Sequence, residues 1–293
     1  MNSENLVIPF QINDSIKGTI VRLSTVASKI INDVYPNNIK AIFGDSIAIT
    51  ASIGSRMKND GVFSFQAQSD GVIKTLFIDL NNNSSLRGYI SLKDQNNIQN
   101  LSFNQILSNG TLALNIKEGK FSKNYQGLVE INGQSIEDTI HAYFNSSEQV
   151  KSCFRSYNIF KMEKYEPDFN HIAGAIKLEL MPEEKRFNYY KNSRDFWDEI
   201  LMFLKTMDAD EFLKKEHSSK EILGRLFGQY EVKIFDEIQL NNNCKCSDER
   251  VLDTLKSMGK DEIQFLFDKR KEIEVVCEFC KTKRIYQEID IFN

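Results

Sequence analysis

The sequence predicts an α+β protein in three parts: an N-terminal mixed sheet and helix domain over residues 1–180, a charged helical linker over 181–231 and a small C-terminal α+β domain over 232–293. Three observations carry that division. Before residue 180, apolar and polar residues alternate in several short runs, the period of a half-buried strand. After Met181-Pro182 the period changes to three and four residues and charge becomes dense. Four of the five cysteines then fall near the C-terminus, as Cys244-x-Cys246 and Cys277-x-x-Cys280.

In the first part, Ile20, Leu23, Ala27, Ile30, Ile31 and Val34 recur at helical steps and predict an amphipathic helix ended by Pro36. Phe63 to Gln68 alternates as a strand, Ser69-Asp70-Gly71 turns the chain, and Val72 to Leu80 forms the next strand. Leu112, Leu114 and Ile116 alternate likewise. A loop containing Gly119 leads to Leu128–Ile131, and Ile176, Leu178 and Leu180 mark a late strand. Sheets with a few helices make an α+β domain.

The linker opens at Pro182, which suits a first helical turn, with Glu183 and Glu184 at the positive helix end. Phe196, Trp197, Ile200, Leu201 and Leu204 form one apolar stripe. Ser218 and Glu221 make a capping box ahead of Ile222, Leu223, Leu226 and Phe227, and Gly228 follows. These stripes read as faces packed on the first domain, which a detaching segment would uncover. In the third part, Ser247 caps a helix carrying Val251, Leu252, Leu255 and Met258 that Gly259 stops. A short helix over Asp261–Asp268 follows. Glu272–Val276 alternates into Cys277, and Arg284-Ile285-Tyr286 returns as the partner strand.

Composition narrows the chemistry. The chain has 37 basic and 41 acidic residues, for a formal net charge of -4, which argues against a surface built for nucleic acid. Its apolar runs are shorter than the roughly 18 residues of a membrane-spanning helix. The opening MNSENLVIPFQIND lacks a basic region and is broken by Pro9, so no secretory signal is expected. A cytoplasmic location follows, where thiols stay reduced and clustered cysteines bind metal or do redox chemistry.

Two cysteine pairs can converge on one ion, and four thiolates make the closed tetrahedral site that zinc favours. Cys244, Cys246, Cys277 and Cys280 are therefore the expected ligands of one zinc ion. C-x-C needs a bent loop, because residues i and i+2 of a strand point the same way. A closed site offers no open position for catalysis. His141, His171 and His217 are scattered, and neither H-E-x-x-H nor a phosphate-binding G-x-x-x-x-G-K-[ST] occurs, so neither an enzyme nor an ATP-driven machine is expected. About sixty residues is near the size at which a core alone is marginal, so metal would supply much of the folding free energy of this segment. Lys245, Lys281, Lys283 and Arg284 lie beside the cysteines and favour thiolate, the oxidisable form. Each pair is also close enough in sequence to join as a disulfide. Cys153 stands apart and reads as a buried free thiol. A zinc ribbon gripping phosphates through those cations and Lys269-Arg270-Lys271 is the competing reading, and the acidic balance counts against it.

At this point the chain resembles the 33 kDa chaperonin family, the redox-regulated heat-shock holdases. The C-terminal likeness lies in RLFGQYEVKIFD (225–236), CKCSDERVLDTLKSMGKDEI (244–263) and IEVVCEFC (273–280). The N-terminal likeness lies in VRLS (21–24), FSFQAQSDG (63–71), LRGY (86–89) and YFNSSEQV (143–150). The chain departs from the family at Lys281 and at Lys269-Arg270-Lys271, which raise the local positive charge. The resemblance implies a zinc-bound, monomeric and inactive reduced state. It implies that oxidant joins Cys277 to Cys280 and then Cys244 to Cys246, with loss of zinc. The C-terminal domain and linker then lose structure, the protein forms a homodimer, and unfolding client proteins are held without ATP. Phe63–Ala67 and Leu201–Leu204 are the apolar stretches expected to become exposed.

Overall fold

A computed structural model describes residues 4–31, 34–55, 57, 61–82, 84–93, 98–117, 124–160, 170–182, 193–214 and 216–292. The chain divides into two compact units, Met1–Asn242 and Asn243–Asn293. In chain order the first unit runs β1 (Asn5–Ile12), β2 (Ile16–Leu23), α1 (Thr25–Ile30), α2 (Asn37–Gly54), β3 (Val62–Gln68), β4 (Ile73–Asn81), β5 (Ser85–Leu92), α3 (Phe103–Ile106), β6 (Thr111–Lys117), β7 (Tyr125–Glu130), α4 (Ile136–Tyr143), β8 (Ser152–Phe160), β9 (His171–Leu180), α5 (Ser193–Thr206), α6 (Ala209–Leu213), α7 (Ser219–Phe227), β10 (Val232–Ile234) and β11 (Ile238–Gln239). Two antiparallel sheets result: β10-β1-β2-β9-β8, with β11 also on β1, and β5-β4-β3-β6-β7.

The first sheet is covered on both faces. One face packs with α2 and the second sheet around Val7, Val21, Leu23, Phe43, Ile47, Phe63 and Phe65. The other carries Ile8, Phe10, Ile12, Ile20, Ile176 and Leu178 and is covered by Trp197, Ile200, Phe212, Leu223 and Phe227 of α5, α6 and α7. A central strand buried on both faces loses its apolar–polar alternation. This is why Ile20 and Leu23, expected in a helix, belong to β2. Among the described residues of the expected 20–34 helix only Thr25–Ile30 is helical, and Val34 is exposed.

The longest helix, α2, has no apolar stripe in its sequence because nearly every side of it is buried. Its buried Ser46, Thr50 and Ser52 donate back to the carbonyls of Ile42, Ser46 and Ile49, so these hydroxyls need no water. Elsewhere the expected elements form: β3, β4, β6, β7 and β9 match their alternating runs, and the Ser218–Glu221 capping box stands at the start of α7. Gly119 and the expected helix start at Glu183 and Glu184 lie outside the described residues.

Residues 232–242, expected in the third part, fall in the first compact unit. Val232–Ile234 and Ile238–Gln239 pair with β1, and Asn241 then accepts from the Leu86 amide at 2.9 Å. An open edge of β1 recruits these short strands, which carry too few residues for a periodic signal. The second unit contains α8 (Asp248–Ser257), α9 (Lys260–Lys269), the hairpin β12 (Ile273–Val276) and β13 (Lys283–Tyr286), and α10 (Glu288–Phe292). Among its described residues the core is Leu255, Ile263, Ile273, Tyr286 and Ile291. Met258, expected on the α8 stripe, is exposed.

Candidate metal centre

Two local structures present the cysteines. Cys244 and Cys246 lie in the extended segment before α8, where the Ser247 hydroxyl accepts the Arg250 amide at 3.2 Å and fixes the helix start. The Arg250 side chain donates to the Lys245 carbonyl at 2.9 Å, which bends the C-x-C loop over the helix. Cys277 and Cys280 occupy the turn between β12 and β13. There the Cys277 amide donates to the Thr282 carbonyl at 3.0 Å and the Lys281 amide to the Cys277 carbonyl at 2.8 Å. Lys281 takes φ +55°, a left-handed conformation that glycine adopts at lower cost.

The four Sγ atoms lie within 4.8 Å of one another. Cys244 and Cys277 approach to 3.6 Å and Cys246 and Cys280 to 3.4 Å. A tetrahedron with metal–sulfur bonds of about 2.3 Å has sulfur–sulfur edges of about 3.8 Å, so the arrangement fits one ion of that kind. All four thiols are free, and the separations exceed the roughly 2.05 Å of a disulfide. Cys280 is the exposed member and the other three are half-buried.

The thiols differ electrostatically. Burial pushes Cys244 up to about 12, and hydrogen bonding with the other three thiols adds to the rise. Burial also opposes ionisation of Cys280, but hydrogen bonding with the Thr282 side chain and backbone and with the Cys246 and Cys277 thiols outweighs it and holds the thiol down to about 6. Arg284 Nη2 donates to Cys246 Sγ at 3.5 Å. Its Nε is 3.0 Å from Asp248 Oδ1, which also accepts from the Tyr286 hydroxyl at 3.1 Å. Sequence reading treated Arg284 as one of several nearby cations and overlooked Thr282, Asp248 and Tyr286. The signal was the strand period: residues 282, 284 and 286 share one face of β13 and its approach.

Two of the remaining cations have carboxylate partners. Lys281 pairs with Glu278 at 2.8 Å and Lys283 with Glu274 at 2.5 Å. Among the described residues, the four cysteines are the metal-competent group, and the histidines lie elsewhere. His141 Nε2 accepts the Phe154 amide at 2.8 Å, His171 is buried on β9, and His217 lies before α7. Cys153 is a half-buried free thiol on β8, pushed up to about 11 by burial. Among the described residues no helix is long and apolar enough to cross a membrane.

Comparison with known proteins is consistent across the chain. The 33 kDa chaperonin of Shewanella loihica is 27% identical over 280 residues, covering 95% of this chain and 91% of its own length. That of Proteus mirabilis is 27% identical with 95% and 92% coverage. The crystal structure of the 33 kDa chaperonin, heat shock protein 33 homolog, of Thermotoga maritima superposes with a TM-score of 0.78 over 98% of this chain and 97% of that one. At 17% identity that likeness shows the shared fold. The family model described as Hsp33 protein matches residues 5–287, and the chain belongs to the Hsp33 family.

Proposed function

We propose that this chain is a redox-regulated, ATP-independent holdase whose reduced form binds one zinc ion through Cys244, Cys246, Cys277 and Cys280 and is inactive. The convergence of four sulfurs in a unit with a five-residue described core supports this most strongly. Zinc would supply the cross-link that so small a core lacks. Oxidation at each pair converts two thiolates, one peroxide and two protons into one disulfide and two waters. Exposed Cys280 favours a start at Cys277–Cys280, followed by Cys244–Cys246. A disulfide cannot ligate as two thiolates do, so both the ion and the fold of the second unit are lost.

In this reading residues 181–231 act as the linker, and α5, α6 and α7 leave the first sheet once the second unit unfolds. Their removal would uncover Phe10, Ile12, Ile20, Ile176 and Leu178, a continuous apolar face that suits unfolding proteins or a second copy of the chain. The expected Leu201–Leu204 stretch belongs to this covered interface, whereas Phe63, Phe65 and Ala67 are buried in the other core. The homodimer of the activated state and the cytoplasmic setting belong to the same proposal. The test follows zinc release, light scattering of a thermally unfolding client and Trp197 emission, with and without peroxide. Trp197 is the single tryptophan and is buried in α5, so its emission reports linker release. Full suppression of aggregation by the reduced, zinc-loaded protein would falsify the redox switch.

A further inference from the structure

The ligand cluster is not symmetric, and the asymmetry lies outside the four cysteines. Four thiolates around a divalent cation carry a net charge of about -2, and mutual repulsion of the sulfurs weakens such a site unless donors offset it. Cys246 receives a guanidinium: Arg284 Nη2 lies 3.5 Å from its sulfur. That guanidinium is held from behind, because Asp248 Oδ1 accepts its Nε at 3.0 Å while the Tyr286 hydroxyl donates to the same oxygen at 3.1 Å. The Arg284 side chain is only 15% exposed. Cys280 instead has the neutral Thr282 hydroxyl, at 3.1 Å. The two sulfurs thus face partners of different charge.

We propose that Arg284 is a positioning residue of the metal centre, anchored by Asp248 and Tyr286, which keeps Cys246 on the ion while the Cys277–Cys280 pair is attacked. This rests on the zinc-site reading above. A fixed N–H donor draws electron density from the sulfur it touches, so that sulfur reacts more slowly with electrophiles. The donor also fixes the direction of a side chain in an extended loop. Lys283, the neighbouring strand residue, pairs with Glu274 and serves as the control position.

The experiment uses the full chain, reduced and reconstituted with zinc alone. Zinc affinity is measured against a chromogenic chelator, and the order of alkylation by N-ethylmaleimide is read at each cysteine by mass spectrometry. R284Q is expected to weaken zinc by about 10- to 100-fold, the usual effect of losing an outer-shell partner, and to move Cys246 forward in the alkylation order. R284K keeps the charge and is expected to recover most of the affinity. D248N should give a smaller loss, and K283Q none. If R284Q fails to fold, R284K and D248N carry the same test, because the proposal requires both to fall between the parent and an unliganded site in Cys246 reactivity. Affinity and alkylation order unchanged in R284Q and D248N would overturn the role of Arg284 and leave the zinc site standing. An unmodified chain that takes up no zinc would instead overturn the metal reading itself.

Discussion

A charged side chain stays in a protein interior only where partners replace the water it has lost. Arg22 on β2 is such a case. Burial lowers its pKa, and Glu4, 2.7 Å away, opposes the shift. The same guanidinium donates to the carbonyls of His217 and, at 2.8 Å, Lys214, while Ser219 donates to Glu4 at 3.1 Å. One ion pair therefore ties the α6–α7 connection to the sheet. Arg22→Ala leaves Glu4 and two carbonyls short of a donor and should lower first-unit stability by about 3–5 kcal/mol in urea unfolding followed by Trp197 emission. Asp45 on α2 gives a pH dependence. Burial and, to a smaller extent, the charge of Glu137 push its carboxyl up to about 7, against hydrogen bonds from Ser156 and Asn158. The folded state then holds the proton more tightly than the unfolded chain, whose carboxyl has the ordinary value of 3.8. Its contribution is complete below that value and is lost as pH rises through about 7. Asp45→Asn should flatten this part of the stability curve, and urea unfolding at pH 5 and pH 8 checks it.

At the scale of elements, close approach decides how α6 and α7 sit on the first sheet. Gly18 on β2 pairs with Phe10 on β1, and a Cβ at Gly18 would stand 2.1 Å from the Phe10 ring. That ring stacks on Phe227 of α7 at 6.0 Å between centroids. Gly174 on β9 plays the same part under α6: an added Cβ would stand 2.6 Å from the Phe212 ring, which stacks on Tyr157 at 4.2 Å. Gly18→Ala should drive Phe10 into α7 and destabilise the packing of that helix on the sheet by about 1–3 kcal/mol, the usual cost of overpacking. Leu223→Ala should remove about 2–5 kcal/mol from the same interface. Under the holdase proposal both variants suppress client aggregation at lower peroxide than the parent, as light scattering would show. The stripes on α5 and α7 were legible in sequence because each helix has one wet face. α2 was not, because both sheets pack against it and its small polar residues satisfy themselves within the helix.

At the scale of the whole molecule, the two units differ in what holds them. The first has two cores on opposite faces of its first sheet, whereas the second has five described core residues and four clustered sulfurs. Removing metal from the reduced chain with a chelator should therefore abolish a separate second-unit transition in calorimetry and leave a first-unit transition in place. A single unchanged transition would count against metal-dependent folding. By itself the sequence determined the four-cysteine constellation, the amphipathic stripes of α5 and α7, the strands with one wet face and the family likeness, because each depends on residues close in sequence or on one face of one element. Only the tertiary structure decided the rest. It made Ile20–Leu23 a strand instead of a helix, because β1 and β9 pair with that segment on either side. It paired Val232–Ile234 and Ile238–Gln239 with β1, because the free edge of that strand takes up two short strands. It also set Arg284 against Cys246, thirty-eight residues away in sequence, because convergence of a loop and a hairpin has no signature in local periodicity.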